Sequence, residues 1–235
     1  MAAGCSATAP DETVPEGYNV LFLGNSLTYT NNLPLMVENL APTVGGEPLH
    51  VGMIAFPNVA LEDLWNTGEA RTALASGDWD MVVMQQGPSS LPESQAHLAT
   101  WVDRFSEEAR TNGVEPAVLM VWPPEGSDAT FQAVIASYAN AANAASATLF
   151  PAGSAWFDLR SRNSPIDPYG PDRFHPSVEG TYLAALIVAA QLRGRSAVGL
   201  PSAFALSSGE TLVIDESAAL SLQQRADAAI AAYAD

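Results

Sequence analysis

The chain has 235 residues, 48% of them hydrophobic, which suffices to bury one full core and fits a single α/β domain. Nine Lys and Arg against 26 Asp and Glu give a net charge of −17, which excludes nucleic acid as a partner and disfavours docking by charge on an anionic membrane. The single cysteine excludes a disulfide framework or a cysteine metal site, and no stretch is long and apolar enough to span a bilayer.

Residues 1–17 are small and polar without apolar periodicity, and read as a disordered linker ahead of a domain spanning 18–235. Within them Ala2-Ala3-Gly4-Cys5-Ser6 sets the sole cysteine after small residues and before a polar tether. Two readings stand: a chance cysteine in a tail, or a bacterial lipoprotein signal that has lost its charged and apolar parts. In the second, lipid chains on Cys5 anchor the domain outside the cytoplasm. A cytoplasmic location stays open.

Residues 18–24 form an apolar run that ends in Gly24-Asn25-Ser26, and a helical pattern follows from Leu33 to Leu40. Ser26 therefore sits where a buried strand hands over to a helix. In an open parallel sheet that is the reactive rim, although Gly, Asn and Ser are also ordinary turn and cap residues. A second strand is expected at 49–55, with His50 ahead of its apolar core in a structural role, followed by a turn at Phe56-Pro57-Asn58 and a helix over 61–74. A third strand over 80–84 exits through Gln85-Gln86-Gly87-Pro88-Ser89. Two glutamines at the end of an apolar strand are costly to bury unpaired, so at least one is expected to face the crevice.

Residues 92–111 read as an amphipathic helix with Leu98, Trp101, Val102 and Phe105 inward and His97 without a role. A fourth strand is expected at 117–122, where Trp122 either walls the substrate pocket or packs. A helix over 131–147 and a fifth strand at 148–153 follow. A loop over 161–174, stiffened by Pro165, Pro168 and Pro171, leads to a helix over 176–192, then a hairpin around Ser208-Gly209 and a last helix over 216–233. Five strands alternating with helices predict a three-layer α/β/α sandwich with a flavodoxin-like, mostly parallel sheet. In the stiff loop, Asp172-Arg173-Phe174-His175 holds one of the three histidines three residues after an aspartate. A serine nucleophile needs a base and the base an orienting carboxylate, and this loop supplies both; Asp167, eight residues from His175, is the weaker candidate.

The blocks Gly24-Asn25-Ser26-Leu27 and Asp172-x-x-His175-Pro176 resemble the first and last blocks of the SGNH (GDSL-like) hydrolase superfamily. The resemblance implies Ser26 as nucleophile and Asp172 and His175 as its partners. It also implies a second-block glycine and a third-block asparagine as oxyanion donors. Here Asn58 stands where that glycine is expected, and its backbone N–H can serve because asparagine tolerates left-handed backbone. The third-block asparagine is missing, and Gln85 or Gln86 is the candidate replacement, similar to a branch with Leu-Gln or Met-Gln at this point. The oxyanion candidates are thus Ser26, Asn58, Gln85 and Gln86. The expected function is a cofactor- and metal-independent serine esterase acting on a small-molecule or carbohydrate ester, O-acetyl groups included. The alternative is a catalytically impaired carbohydrate-binding relative. A sulfate or phosphate esterase is disfavoured by the missing metal-ligand spacing and basic residues.

Overall fold

The computed structural model describes residues 16–162, 164–205 and 211–234. Cys5, most of the predicted linker and the Ser208-Gly209 turn lie outside the described residues. The apolar run forms β1 (Tyr18–Gly24), buried at every residue after Tyr18. It pairs in parallel with β3 (Glu47–Ala55) on one side and β4 (Met81–Met84) on the other. A strand with neighbours on both edges and helices on both faces has no polar side to offer, which is why it reads as continuous apolar sequence.

β5 (Glu115–Leu119) and β6 (Thr148–Phe150) extend the sheet in parallel, and β2 (Thr43–Val44) adds an antiparallel edge to β3. The strand order is β2-β3-β1-β4-β5-β6. The sheet has six strands rather than the five expected. The extra one is two residues long, too short for any alternation to show, and turns back at Gly45-Gly46, both with positive φ (62° and 99°). Without it the order is the flavodoxin-like one expected.

The flanking helices are α1 (Ser26–Tyr29), α2 (Leu33–Leu40), α3 (Leu61–Thr67), α4 (Glu69–Ala75), α5 (Pro92–Thr111), α6 (Phe131–Ala144), α7 (Ala152–Ser161), α8 (Val178–Arg193) and α9 (Glu216–Ala231). α3, α5 and α6 pack together, as do α2, α8 and α9. α8 is buried at every residue from Gly180 to Ala190, in keeping with its Ala and Leu content. A short antiparallel pair, β7 (Ala203–Ala205) and β8 (Thr211–Val213), stands outside the main sheet.

Three local expectations are corrected. The helix over 61–74 is two helices, because Gly68 takes φ 80° between them. The strand at 148–153 stops at Phe150, since α7 starts at Ala152. Its first turn holds Gly153 and Ser154, which hide the helical spacing of Ala155, Trp156 and Leu159. Gly153 is demanded there by packing: a Cβ would lie 2.1 Å from the Val121 carbonyl oxygen. The strand at 117–122 is displaced to 115–119. His50 lies within β3, as expected, opposite Asn19, with Nδ1 3.7 Å from the Glu38 carboxylate.

Candidate active site

The carboxyl ends of β1, β3 and β4 meet on one rim of the sheet. The chain steps from β1 outward to β3 and then crosses back to β4, and such reversal points open the crevices in which parallel sheets bind ligands. Ser26 stands there as the first residue of α1, with Asn25 as its N-cap. Asn25 Oδ1 accepts the Leu27 N–H (3.1 Å), and its Nδ2 donates to the Val59 carbonyl (3.1 Å), fixing the serine turn to the loop beyond β3. Gly24 is required by close approach, because a Cβ there would lie 2.3 Å from Thr28 Oγ1 and 2.5 Å from Gln85 Oε1. Gly24→Ala is expected to destabilise by about 1–3 kcal/mol through overpacking, read as a lowered midpoint in denaturant.

Gln85 is not at the crevice. Its Oε1 accepts from the Asn25 N–H (2.9 Å) and Thr28 Oγ1 (2.8 Å), and its Nε2 donates to the Gln86 carbonyl. The reading of Gln85 as an oxyanion donor is thereby corrected: the serine turn presents two buried donors, and the Gln85 side-chain carbonyl satisfies both. Gln86 does line the crevice, its Nε2 donating to Ser89 Oγ (3.2 Å) and its Oε1 accepting from the Leu61 N–H (3.4 Å). Asn58 lines it too and adopts φ 58°, the left-handed conformation its residue type tolerates.

The last block approaches from the loop before α8. Asp172 Oδ1 accepts the backbone N–H groups of Phe174 (3.1 Å) and His175 (2.9 Å), and Oδ2 is hydrogen-bonded to His175 Nδ1. One carboxylate thus builds the turn and aims the ring, which explains the spacing of three. His175 Nε2 lies 2.8 Å from Ser26 Oγ. Serine, imidazole and carboxylate therefore form one hydrogen-bonded chain, the arrangement in which an imidazole can take a hydroxyl proton. Asp167 is used elsewhere: its carboxylate meets Arg173 Nη1 (2.7 Å) and the Tyr169 N–H (3.1 Å).

The loop is held from several sides. Arg173, between the two block residues, takes φ 62°, and its guanidinium binds the carboxylates of Glu125 and Asp167. The Glu125 N–H in turn donates to the Arg173 carbonyl (2.9 Å). Trp122 is fully buried, stacked on Trp156 at 3.5 Å, and donates Nε1–H to the Phe174 carbonyl (3.2 Å). Of its two readings, packing holds. Asn31, at φ 54°, donates to the Pro176 carbonyl (3.1 Å) and Thr181 Oγ1 (2.9 Å), tying the serine segment to the histidine loop. Apart from the Arg173–Asp167 pair, six positions apart, none of these partners was visible from the sequence, since the others join segments far apart in the chain.

The His175 hydrogen bond, followed by the Phe174 N–H, lowers the Asp172 carboxyl to about 2. The Arg173 hydrogen bond chiefly holds Glu125 at about 2, against an ordinary 4.5. A carboxyl lowered on folding contributes stability above its unfolded pKa and loses it as pH falls through the folded value. The Glu125 clamp is therefore expected to persist at pH 5 and to release between about pH 4.5 and 2. Amide exchange should show the 167–176 loop opening in that window, and Glu125→Gln should show it open already at neutral pH.

The crevice has a volume of about 450 Å³ and is lined by Ser26, Asn58, Asp63, Gln86, His97 and Phe174, among others. His97, which the sequence leaves without a role, is on its wall. Among the described residues no cluster of three or more His, Cys, Asp or Glu could hold a metal ion, and no helix is long and apolar enough to cross a membrane.

No protein-family model and no curated protein matches the sequence. Solved structures do. A protein described as "a putative SGNH hydrolase", from Slackia heliotrinireducens, is 27% identical and superposes with a TM-score of 0.61, over 74% of this chain and 97% of that one. A DUF4886 family protein from Bacteroides uniformis is 19% identical with a TM-score of 0.69, over 91% and 95% of the two chains. A catalytic serine-to-alanine variant of an acetylxylan esterase from Geobacillus stearothermophilus is 16% identical with a TM-score of 0.57, over 80% and 100%. The chain carries the fold of the SGNH hydrolases and resembles that superfamily in its first and last sequence blocks.

Proposed function

We propose that the protein is a serine esterase that hydrolyses short-chain carboxylic esters, O-acetyl groups on carbohydrate in the first instance. The observation that carries this reading is the hydrogen-bonded chain from Asp172 through His175 to Ser26 at the rim of the sheet. Ser26 Oγ attacks the acyl carbon as His175 Nε2 takes its proton, and Asp172 holds the ring and stabilises its positive charge. The oxyanion is met by the N–H groups of Ser26 and Asn58 and by the Gln86 amide, whose second N–H is left over from the bond to Ser89. His175 then returns the proton to the leaving alcohol. Water adds to the acyl-enzyme by the same route in reverse, its proton passing through His175 back to Ser26 as the acid departs.

The preference for acetyl rests on the small crevice, whose apolar lining is limited to Val59, Ala60, Pro88 and Phe174 with no long aliphatic channel. The fold shared with an acetylxylan esterase supports the carbohydrate half. The test is release of nitrophenol from p-nitrophenyl acetate, butyrate and octanoate by wild type and Ser26→Ala. Turnover highest on acetate and absent in the variant is expected. A folded protein with no release above the variant on any ester would favour the carbohydrate-binding alternative.

A further inference from the structure

The wall of the crevice away from the histidine loop is built by the first turns of α3 and α5, and the bond between His97 and Glu62 joins these helices at 2.9 Å. The carboxylate can only accept, so His97 Nε2 carries a proton, and in the tautomer with Nε2 alone protonated Nδ1 is an acceptor. The ring is further fixed against Trp101, with centroids 6.1 Å apart. Beside it on the wall, Asp63 uses Oδ2 to cap the Ala60 N–H (2.8 Å), which leaves Oδ1 as a second acceptor. Ser94 adds nothing here, because its hydroxyl both accepts from and donates to Leu91.

This wall is rich in acceptors and negative in charge, and no Lys or Arg is among the described residues lining the crevice. Hydroxyl groups satisfy such a surface, whereas a carboxylate or phosphate is repelled by Glu62 and Asp63 and an aliphatic chain leaves the acceptors unpaired. We infer that His97, held by Glu62, and Asp63 form a hydroxyl-binding subsite that takes the alcohol half of the ester and selects a neutral polyhydroxylated one. The inference rests on the esterase reading and adds to it the specificity-determining side chains. His97 acts here on binding of the alcohol and takes no part in the proton transfers.

The experiment compares two esters with the same acyl group, p-nitrophenyl acetate and a mono-O-acetylated neutral pentose, in wild type, His97→Ala and His97→Gln. Loss of one hydrogen bond to the sugar should lower the ratio of kcat/KM, sugar ester over aryl ester, by about tenfold in His97→Ala, chiefly through KM. His97→Gln, which offers an acceptor oxygen again, should recover the ratio to within about threefold of wild type. Wild type should also cleave an O-acetylated uronic acid less well than the neutral sugar. A ratio in His97→Ala within about twofold of wild type overturns the subsite while leaving the esterase reading intact, provided Ser26→Ala is inactive on both esters. Cleavage of neither ester by wild type overturns both.

Discussion

Ser26→Ala is expected to lower kcat for ester hydrolysis by about a millionfold, to the level left by binding and oxyanion contacts alone. The size follows from the mechanism, since without Oγ there is no acyl-enzyme and the remaining triad members have nothing to activate. The fold should survive the change. Ser26 Oγ is half-buried at the crevice and its partner in the structure is His175, while Asn25, Gly24 and Gln85 hold the turn. A circular dichroism spectrum and thermal midpoint like those of wild type are the controls that give the kinetic loss its meaning.

Asp172→Asn is expected to cost about 10⁴-fold in kcat with the loop still formed. An amide oxygen can go on accepting the Phe174 and His175 N–H groups that the carboxylate accepts now. The amide nitrogen, however, would face His175 Nδ1 as a donor and drive the ring proton to Nε2, the tautomer that cannot take a proton from Ser26. The wild-type carboxyl, lowered to about 2 by its bond to His175, is ionised throughout the range in which enzymes are assayed. Protonation of Asp172 should appear only near pH 2, as loss of the loop's stability rather than as a step in the profile above it.

The parts of the site that the sequence discloses are those in which the chemistry is local. Asp172 and His175 stand three residues apart because one carboxylate must reach two backbone N–H groups and one ring nitrogen. Gly24-Asn25-Ser26 reads as a strand-to-helix turn because a cap and a side-chain-free position are both needed within it. The two glutamines show how far such reasoning reaches. Burial arithmetic foresees that at least one faces the crevice, and the structure puts Gln86 there and Gln85 underneath. Which is which depends on strand register, and a shift of one residue inverts the answer. The Arg173 clamp on Glu125, the strap from Asn31 to Pro176 and the place of His97 on the wall all join distant segments, and periodicity carries no information about them. The missed α7 and the two-residue β2 fail for a different reason: Gly153 answers to close packing on Val121, and β2 is shorter than any period.

The most direct test of the central claim, that Ser26 is a nucleophile activated by His175, is reaction of the folded protein with a fluorophosphonate followed by peptide mass spectrometry. One adduct per chain is expected, on the peptide containing Ser26, with none in Ser26→Ala and strongly slowed labelling in His175→Ala. An adduct on a different serine, or an active esterase that the reagent neither labels nor inhibits, would contradict it.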